Sequence, residues 1–426
     1  MAQIVLDLFY SLGNCLNCFP GSPTLKINNR SFKIQRLLGE GGFSYVYLVE
    51  DTTSHQIFAL KKIRCPFGAE SVQQAMREVD AYRLFAHVPT IISAVDHSVA
   101  TERGADEATK TVYVLLPYYR RGNLQDMINA NLVNRSSFPE RYLMVLFLGV
   151  CKALRAMHEY RPVPAERMEM GNEDDHSADG RSGPNRGTAG ATRGTRNEED
   201  EDREQERGLM EGEMSSDGGG KVRAYSHRDI KPGNIMIDDS GSGPILMDLG
   251  SVVPSPTPVT SQSLALQIQD TAAEHSTMPY RAPELFDVRT GTVIDTKVDI
   301  WSLGCTLYAC LVGKSPFEMR SDETGGTLSL CVLGGDWRFP DESPGGAKRV
   351  NSIGQAKARA AASADGHGGD HSGGAGAGST VISEPIREIV RSCLKVEPAE
   401  RPDIDELITM VEHAIEELPE GDGNRS

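Results

Sequence analysis

The chain has 426 residues and a mass of 46.3 kDa, with 39% hydrophobic and 24% charged residues, enough apolar chain to bury a sizeable core. Its 44 Lys and Arg against 60 Asp and Glu give a net charge of −16 and a pI near 5.2, which argues against nucleic-acid binding through the overall field. Eight Cys are too sparse for a disulfide scaffold, and Cys15 and Cys18 lack the second pair that a zinc site needs, so a reducing, intracellular compartment is expected.

In chain order, residues 1–30 read as a tail. Met1 to Phe19 is apolar, but it has no basic leader and carries Asp7, so it makes neither a signal peptide nor a membrane span. Residues 31–42, 43–51 and 57–64 alternate β-branched and aromatic residues with polar ones and are expected to be strands. Val72, Met76, Val79 and Leu84 recur at near-helical spacing and predict a helix over 70–86. A strand follows at 112–119 and a helix at 139–159. The apolar run Leu143 to Leu154 inside that helix is too short to cross a bilayer.

Composition then shifts twice. Residues 165–220 hold 16 acidic and 7 basic residues, a net of −9, with no Val, Ile, Phe, Tyr or Trp. Residues 341–380 hold 10 Gly and 9 Ala without apolar periodicity. Neither can bury enough apolar surface to offset its ordering entropy, so both are read as disordered insertions in surface loops. What remains, roughly 300 residues, suits one large two-lobed domain or two ordinary ones. Most of 294–418 outside the second insertion reads as helical, and residues 419–426 as a short tail.

The chemistry sits in a series of motifs. Gly39-Glu40-Gly41-Gly42-Phe43-Ser44-Tyr-Val46 lies between two expected strands, where its glycines would let backbone N–H groups approach phosphate oxygens; a Gly-rich hairpin turn is the plainer reading of that motif alone. Lys61 closes Phe58-Ala-Leu-Lys61 on the next strand. Downstream come His227-Arg-Asp229-Ile-Lys231-Pro-Gly-Asn234, Asp248-Leu-Gly250, Ala282-Pro-Glu284 and Asp299-Ile-Trp-Ser-Leu-Gly304.

These motifs, in this order, resemble the eukaryotic protein kinase family. The resemblance runs from about Ser31 to Leu418 outside the two insertions. It implies an α+β bilobal fold, with an N-lobe antiparallel sheet plus one main helix and a mostly helical C-lobe, built from 31–164, 221–340 and 381–418. It implies ATP and Mg²⁺ as cofactors. Asp229 would orient the acceptor hydroxyl and take its proton, Lys231 would neutralise the transferring phosphate, and Asn234 and Asp248 would hold the metal. Lys61 would contact the α- and β-phosphates and pair with a helix carboxylate, with Glu78 preferred over Asp80. Leu38 and the loop residues would cover the nucleotide, and Leu116 would be the gatekeeper. Pro117, Tyr118 and Tyr119 would offer backbone groups to adenine, and Val46, Ala59 and Met236 would sandwich the ring, although each of these apolar residues suits an ordinary core. Glu284 and Arg401 match an ion pair that braces the C-terminal lobe, and Asp299 matches a residue that supports the catalytic loop. Two positions depart from the family pattern: Ser44 replaces the third glycine, and Leu249 stands where Phe is usual. Neither removes a charge or a metal ligand.

Lys231 and Thr277 follow the serine/threonine pattern. The segments GEGGFSYVYLVED, REVDAYRLFAH, LLPYYRRGNL and LQIQDTAAEHSTMPYRAPELF further resemble the Numb-associated kinase family, in particular its small lipid-anchored branch, which includes a fungal vacuolar kinase. Residues 264–276 are similar to a helical insertion that branch carries in the activation segment; a long loop is the plainer alternative. The implied function is a serine/threonine protein kinase at the cytoplasmic face of an internal membrane, vacuole or Golgi. Ala2 stands where N-myristoylation needs Gly, leaving Cys15 and Cys18 as palmitoylation candidates, against a packed apolar tail or a redox Cys-x-x-Cys. Expected partners are protein substrates with Ser or Thr acceptors and a membrane surface, with no nucleic acid. The rival reading is a kinase-fold scaffold with little catalysis.

Overall fold

The computed structural model describes residues 24–101, 109–161, 223–342 and 382–419. It divides into two units, 1–159 with 224–426, and 160–223. The second is described only at its ends, where the Arg223 N–H donates to the Tyr160 carbonyl at 2.8 Å.

The first unit begins with a sheet. β1 (Thr24–Ile27), β2 (Arg30–Glu40), β3 (Ser44–Asp51), β4 (Ile57–Cys65), β5 (Asp96–Thr101) and β6 (Lys110–Pro117) form six antiparallel strands in the order β1-β2-β3-β4-β6-β5. Alternation puts Phe32, Val49, Phe58, Leu60 and Leu115 on one buried face together with Ile27. Helix α1 (Ala69–Leu84) buries Ala75, Glu78, Val79 and Tyr82, a stripe of helical period. Residues 24–30 leave the expected tail and join the sheet. Thr24 to Ile27 pair with Lys33 to Arg30, and Ile27 is 1% exposed, so the sheet starts before residue 31. Four residues before an Asn-Asn turn, with Asn28 at φ 50, give too short an alternation to read as a strand.

α2 (Leu124–Asn134) is closed by a capping box at Asn123 and Asp126, and α3 (Glu140–His158) buries Leu143, Phe147, Val150 and Leu154. Short strands follow: β7 (Ala224–Ser226), β8 (Ile235–Ile237), β9 (Pro244–Leu246), β10 (Val253–Ser255) and β11 (Thr257–Pro258). β10 pairs with β7 and β8 with β9, which clamps the intervening motif loops from both sides. α4 (Gln262–His275), capped by Ser261, falls on the stretch read as a helical insertion, and β12 (Val293–Ile294) pairs with β11.

α5 (Lys297–Val312) is buried at every position from Val298 to Cys310 and forms the centre of the helical lobe. At Gly304 a Cβ would sit 2.6 Å from the Cys393 Cβ, so only glycine admits the neighbouring helix there. α6 (Pro316–Thr324), α7 (Leu328–Leu333), α8 (Glu384–Cys393) and α9 (Ile404–Glu417) complete the lobe. The insertion expected from Asp341 starts at least two residues later. Asp341 and Glu342 lie in a 3₁₀ turn, where both pair with Arg387 and Glu342 also pairs with Arg391. Among the described residues no helix is long and apolar enough to cross a membrane. Cys15 and Cys18 lie outside the described residues, as do 165–220 and 343–380.

Candidate active site

The Gly-rich segment is the β2–β3 hairpin. Gly39 pairs with Val46 and Glu40 with Tyr45, and the Gly41 N–H donates to the Ser44 carbonyl at 2.7 Å. Gly41, Gly42 and Phe43 are exposed, while Leu38 and Ser44 are half-buried. A Cβ on Gly41 would meet the Ser44 Oγ at 2.9 Å, so the serine that replaces the third glycine fills the space left by another. Val46 stands opposite Lys61, and Ala59 opposite Leu116, which is buried. Val46, Ala59 and Met236 are half-buried, the last on β8. Pro117 ends β6, and Tyr118 and Tyr119 follow as half-buried connector.

Beneath the hairpin, the Lys61 Nζ reaches the Glu78 Oε1 at 2.7 Å and the Asp248 Oδ1 at 2.9 Å. Asp80 points elsewhere and pairs with Arg83 in solvent. Burial alone would lower the Lys61 pKa, but Asp248 and Glu78 outweigh it and raise it, so the ammonium stays charged. Lys61 in turn holds the Asp248 carboxyl down at about 2. Among the described residues no hydrogen bond reaches the other Asp248 oxygen.

Asp229, 6% exposed, is fixed at both oxygens. Its Oδ1 accepts the Thr277 N–H at 2.9 Å; its Oδ2 accepts the Lys231 Nζ at 2.7 Å and the Asn234 Nδ2 at 2.9 Å. The same Asn234 nitrogen donates to the Asp229 carbonyl at 2.8 Å, which leaves the Asn234 Oδ1 for another partner. The Lys231 Nζ also donates to the Thr277 Oγ1 at 2.6 Å.

This loop is supported from below by Asp299, which is fully buried. Its carboxylate accepts the N–H groups of His227 and Arg228 at 2.8 Å each and meets the His158 Nε2 at 2.9 Å. Burial raises the Asp299 pKa, and these contacts more than reverse that, for a net lowering. Arg228 and Asp248 both adopt left-handed backbone, at φ 66 and φ 61. The Arg228 Nε is buried with no hydrogen-bond partner among the described residues, and burial pulls the Arg228 pKa down to about 10 against the pull of Asp299. Ser276 is held by Arg281, whose Nε donates to the Ser276 Oγ at 2.7 Å; Ser263 and Thr271 are exposed on α4. Arg401 and Glu284 form a two-pronged pair at 2.7 and 2.8 Å.

Two members of this site carried no motif. His158 joins Asp299 from the end of α3, 141 residues away, with no local signal. Tyr82 donates to the Glu78 Oε1 at 2.5 Å, and its position four residues after Glu78 on one helix was the only clue available.

Asn234 and Asp248 suit a hard cation. They offer an amide oxygen and a strongly ionised carboxylate, and among the described residues no group of three or more His, Cys, Asp or Glu could hold a metal unaided. A site with so few protein oxygens fits Mg²⁺, which keeps waters and takes phosphate oxygens as further ligands.

A nucleotide-covering hairpin on an antiparallel sheet, a Lys–Glu pair and a braced aspartate loop in a helical lobe define a phosphoryl-transfer fold of two lobes. The chain matches the protein kinase domain over residues 32–163 and 222–411 and belongs to that family. It is 30% identical over 422 residues to serine/threonine-protein kinase ENV7 of Saccharomyces cerevisiae, covering 97% of this chain and 99% of that one. It is 31% identical over 393 residues to serine/threonine-protein kinase ppk13 of Schizosaccharomyces pombe, covering 91% and 92%. Against human serine/threonine-protein kinase 16 the identity is 33% over 322 residues, covering 75% and 82%.

Proposed function

We propose that the protein transfers the γ-phosphate of ATP to Ser and Thr hydroxyls of protein substrates. The observation that carries this reading is the Asp229 carboxylate, held at both oxygens by Lys231, Asn234 and Thr277. Asp229 receives the proton of the acceptor hydroxyl as its oxygen bonds to the γ-phosphorus and the bond to the β-phosphate oxygen breaks, releasing ADP. Lys231, beside that carboxylate, offsets charge on the phosphoryl oxygens. Lys61, kept cationic and aimed by Glu78, holds the α- and β-phosphates, with the Gly39–Ser44 hairpin covering them. Asn234 and Asp248 would hold Mg²⁺, which, when bound, draws charge from the phosphate oxygens. Leu116, Val46, Ala59 and Met236 line the adenine position, and the backbone of Pro117 to Tyr119 pairs with the base. The named relatives support Ser/Thr specificity.

The reading extends to place. Palmitate on Cys15 and Cys18 anchors the kinase to the cytoplasmic face of an internal membrane, vacuole or Golgi, where it acts in membrane traffic. The support is the apolar sequence around those cysteines. Nothing in the site or among the relatives favours the scaffold alternative.

The catalytic reading is tested by transfer of labelled phosphate from ATP to a Ser/Thr peptide, with and without Mg²⁺. Asp229→Asn is expected to lower kcat by about 10³-fold or more while the melting temperature stays near that of the wild type. A variant with near-normal turnover refutes the assignment.

A further inference from the structure

The Glu78 Oε1 serves two donors, the Lys61 Nζ at 2.7 Å and the Tyr82 hydroxyl at 2.5 Å. Tyr82 sits one helical turn beyond Glu78 on α1, so the helix itself sets the reach of the phenol to the carboxylate. The ring is 1% exposed. On the other side of that carboxylate runs the segment Asp248-Leu249-Gly250. The Glu78 Oε2 lies against the same segment, close enough that a Cβ on Gly250 would meet it at 3.2 Å. Leu249 is itself 1% exposed.

The carboxylate that aims Lys61 therefore meets Tyr82 on one oxygen and the segment after the metal-binding aspartate on the other. We propose that Tyr82 is a positioning residue for phosphoryl transfer: its hydroxyl holds Glu78 toward Lys61 and, through the Glu78–Lys61–Asp248 chain, steadies the Asp248-Leu249-Gly250 segment against α1. The inference rests on the catalytic reading of Lys61 and Asp248. Burial, followed by the charges of Glu78 and Asp248, pushes the phenol well above its ordinary range, so the hydroxyl keeps its proton and remains a donor at any working pH. An apolar residue at 82 would pack the same space, but it would give Glu78 one fixed donor instead of two.

The test compares the wild type with Tyr82→Phe and with 4-aminophenylalanine installed at position 82, which restores a donor at the same ring position. Three quantities are read: kcat and KM on a Ser/Thr peptide, the melting temperature, and amide exchange at Leu249. Tyr82→Phe is expected to lower kcat about tenfold with KM within about twofold, and to speed Leu249 exchange about tenfold without a matching fall in melting temperature. The aminophenylalanine variant is expected to regain most of both. A Tyr82→Phe kcat within twofold of the wild type, or a loss that the amino group fails to rescue, overturns the proposal. Should Tyr82→Phe fail to fold, the aminophenylalanine variant decides by itself: wild-type-like kcat and Leu249 exchange uphold the hydroxyl's role, and their loss refutes it. A wild type without phosphoryl transfer would instead strike the catalytic reading, and Leu249 exchange would still decide whether the hydroxyl holds the segment.

Discussion

Arg401 is fully buried, and each of its five guanidinium N–H groups has an acceptor. The Nε donates to the Lys395 carbonyl at 2.8 Å; one terminal nitrogen donates to the Glu284 Oε1 and the Lys297 carbonyl at 2.7 and 2.9 Å; the other donates to the Glu284 Oε2 and the Val396 carbonyl at 2.8 Å each. The guanidinium also lies 5.0 Å from the Trp301 ring centroid. Removing one partner of a buried ion pair costs about 3–5 kcal/mol, and three orphaned carbonyls add to that, so Arg401→Ala is expected to lose about 4–6 kcal/mol. For a domain of this size that corresponds to a fall of about 10–15 °C in melting temperature. Arg401→Lys keeps the charge but cannot fork, and is expected to lose about half as much. Scanning calorimetry of both variants measures the effect, with turnover at a temperature where each is folded as the companion assay. Arg401→Lys melting within about 1 °C of the wild type would refute the account of a geometry-dependent brace.

Two further outcomes are expected. Asp248 titrates at about 2 in the folded protein against its ordinary 3.8, so the stability it contributes is present above the ordinary value and is lost as pH falls through about 2; urea midpoints measured down that range should fall less steeply for Asp248→Asn than for the wild type, and parallel curves would count against the Lys61 contact. Cys15→Ser combined with Cys18→Ser should move the protein from the membrane pellet to the soluble fraction while leaving peptide phosphorylation intact, since each buried acyl CH₂ is worth about 0.8 kcal/mol; a double variant that still pellets would end the acylation proposal.

The catalytic residues were legible because each motif is short and its members lie within a few positions of one another. Their mutual geometry was not. Glu78 and Asp80 sit two apart on α1, and only the helix's rotation decides between them: Ala75, Val79 and Tyr82 turn inward with Glu78, while Asp80 meets Arg83 in solvent. β1 carries no signal of its own, because a four-residue strand gains its meaning from Lys33 to Arg30 across the turn. The brace beneath the catalytic loop joins His158, His227 and Asp299 across long stretches of chain, a closeness that composition and periodicity do not encode.

Arg228, beside the catalytic Asp229, and Asp248, itself the metal-binding carboxylate, each hold a left-handed conformation that L side chains enter at a cost of about 1–3 kcal/mol. The backbone at both would relax if glycine replaced the resident side chain, but at Asp248 the loss of the Lys61 contact opposes that gain. Selection for heat tolerance alone would therefore find its gain at Arg228, next to the aspartate that meets the acceptor hydroxyl. A thermostabilised descendant of this protein that keeps a left-handed Arg228 has been held there by a demand other than stability.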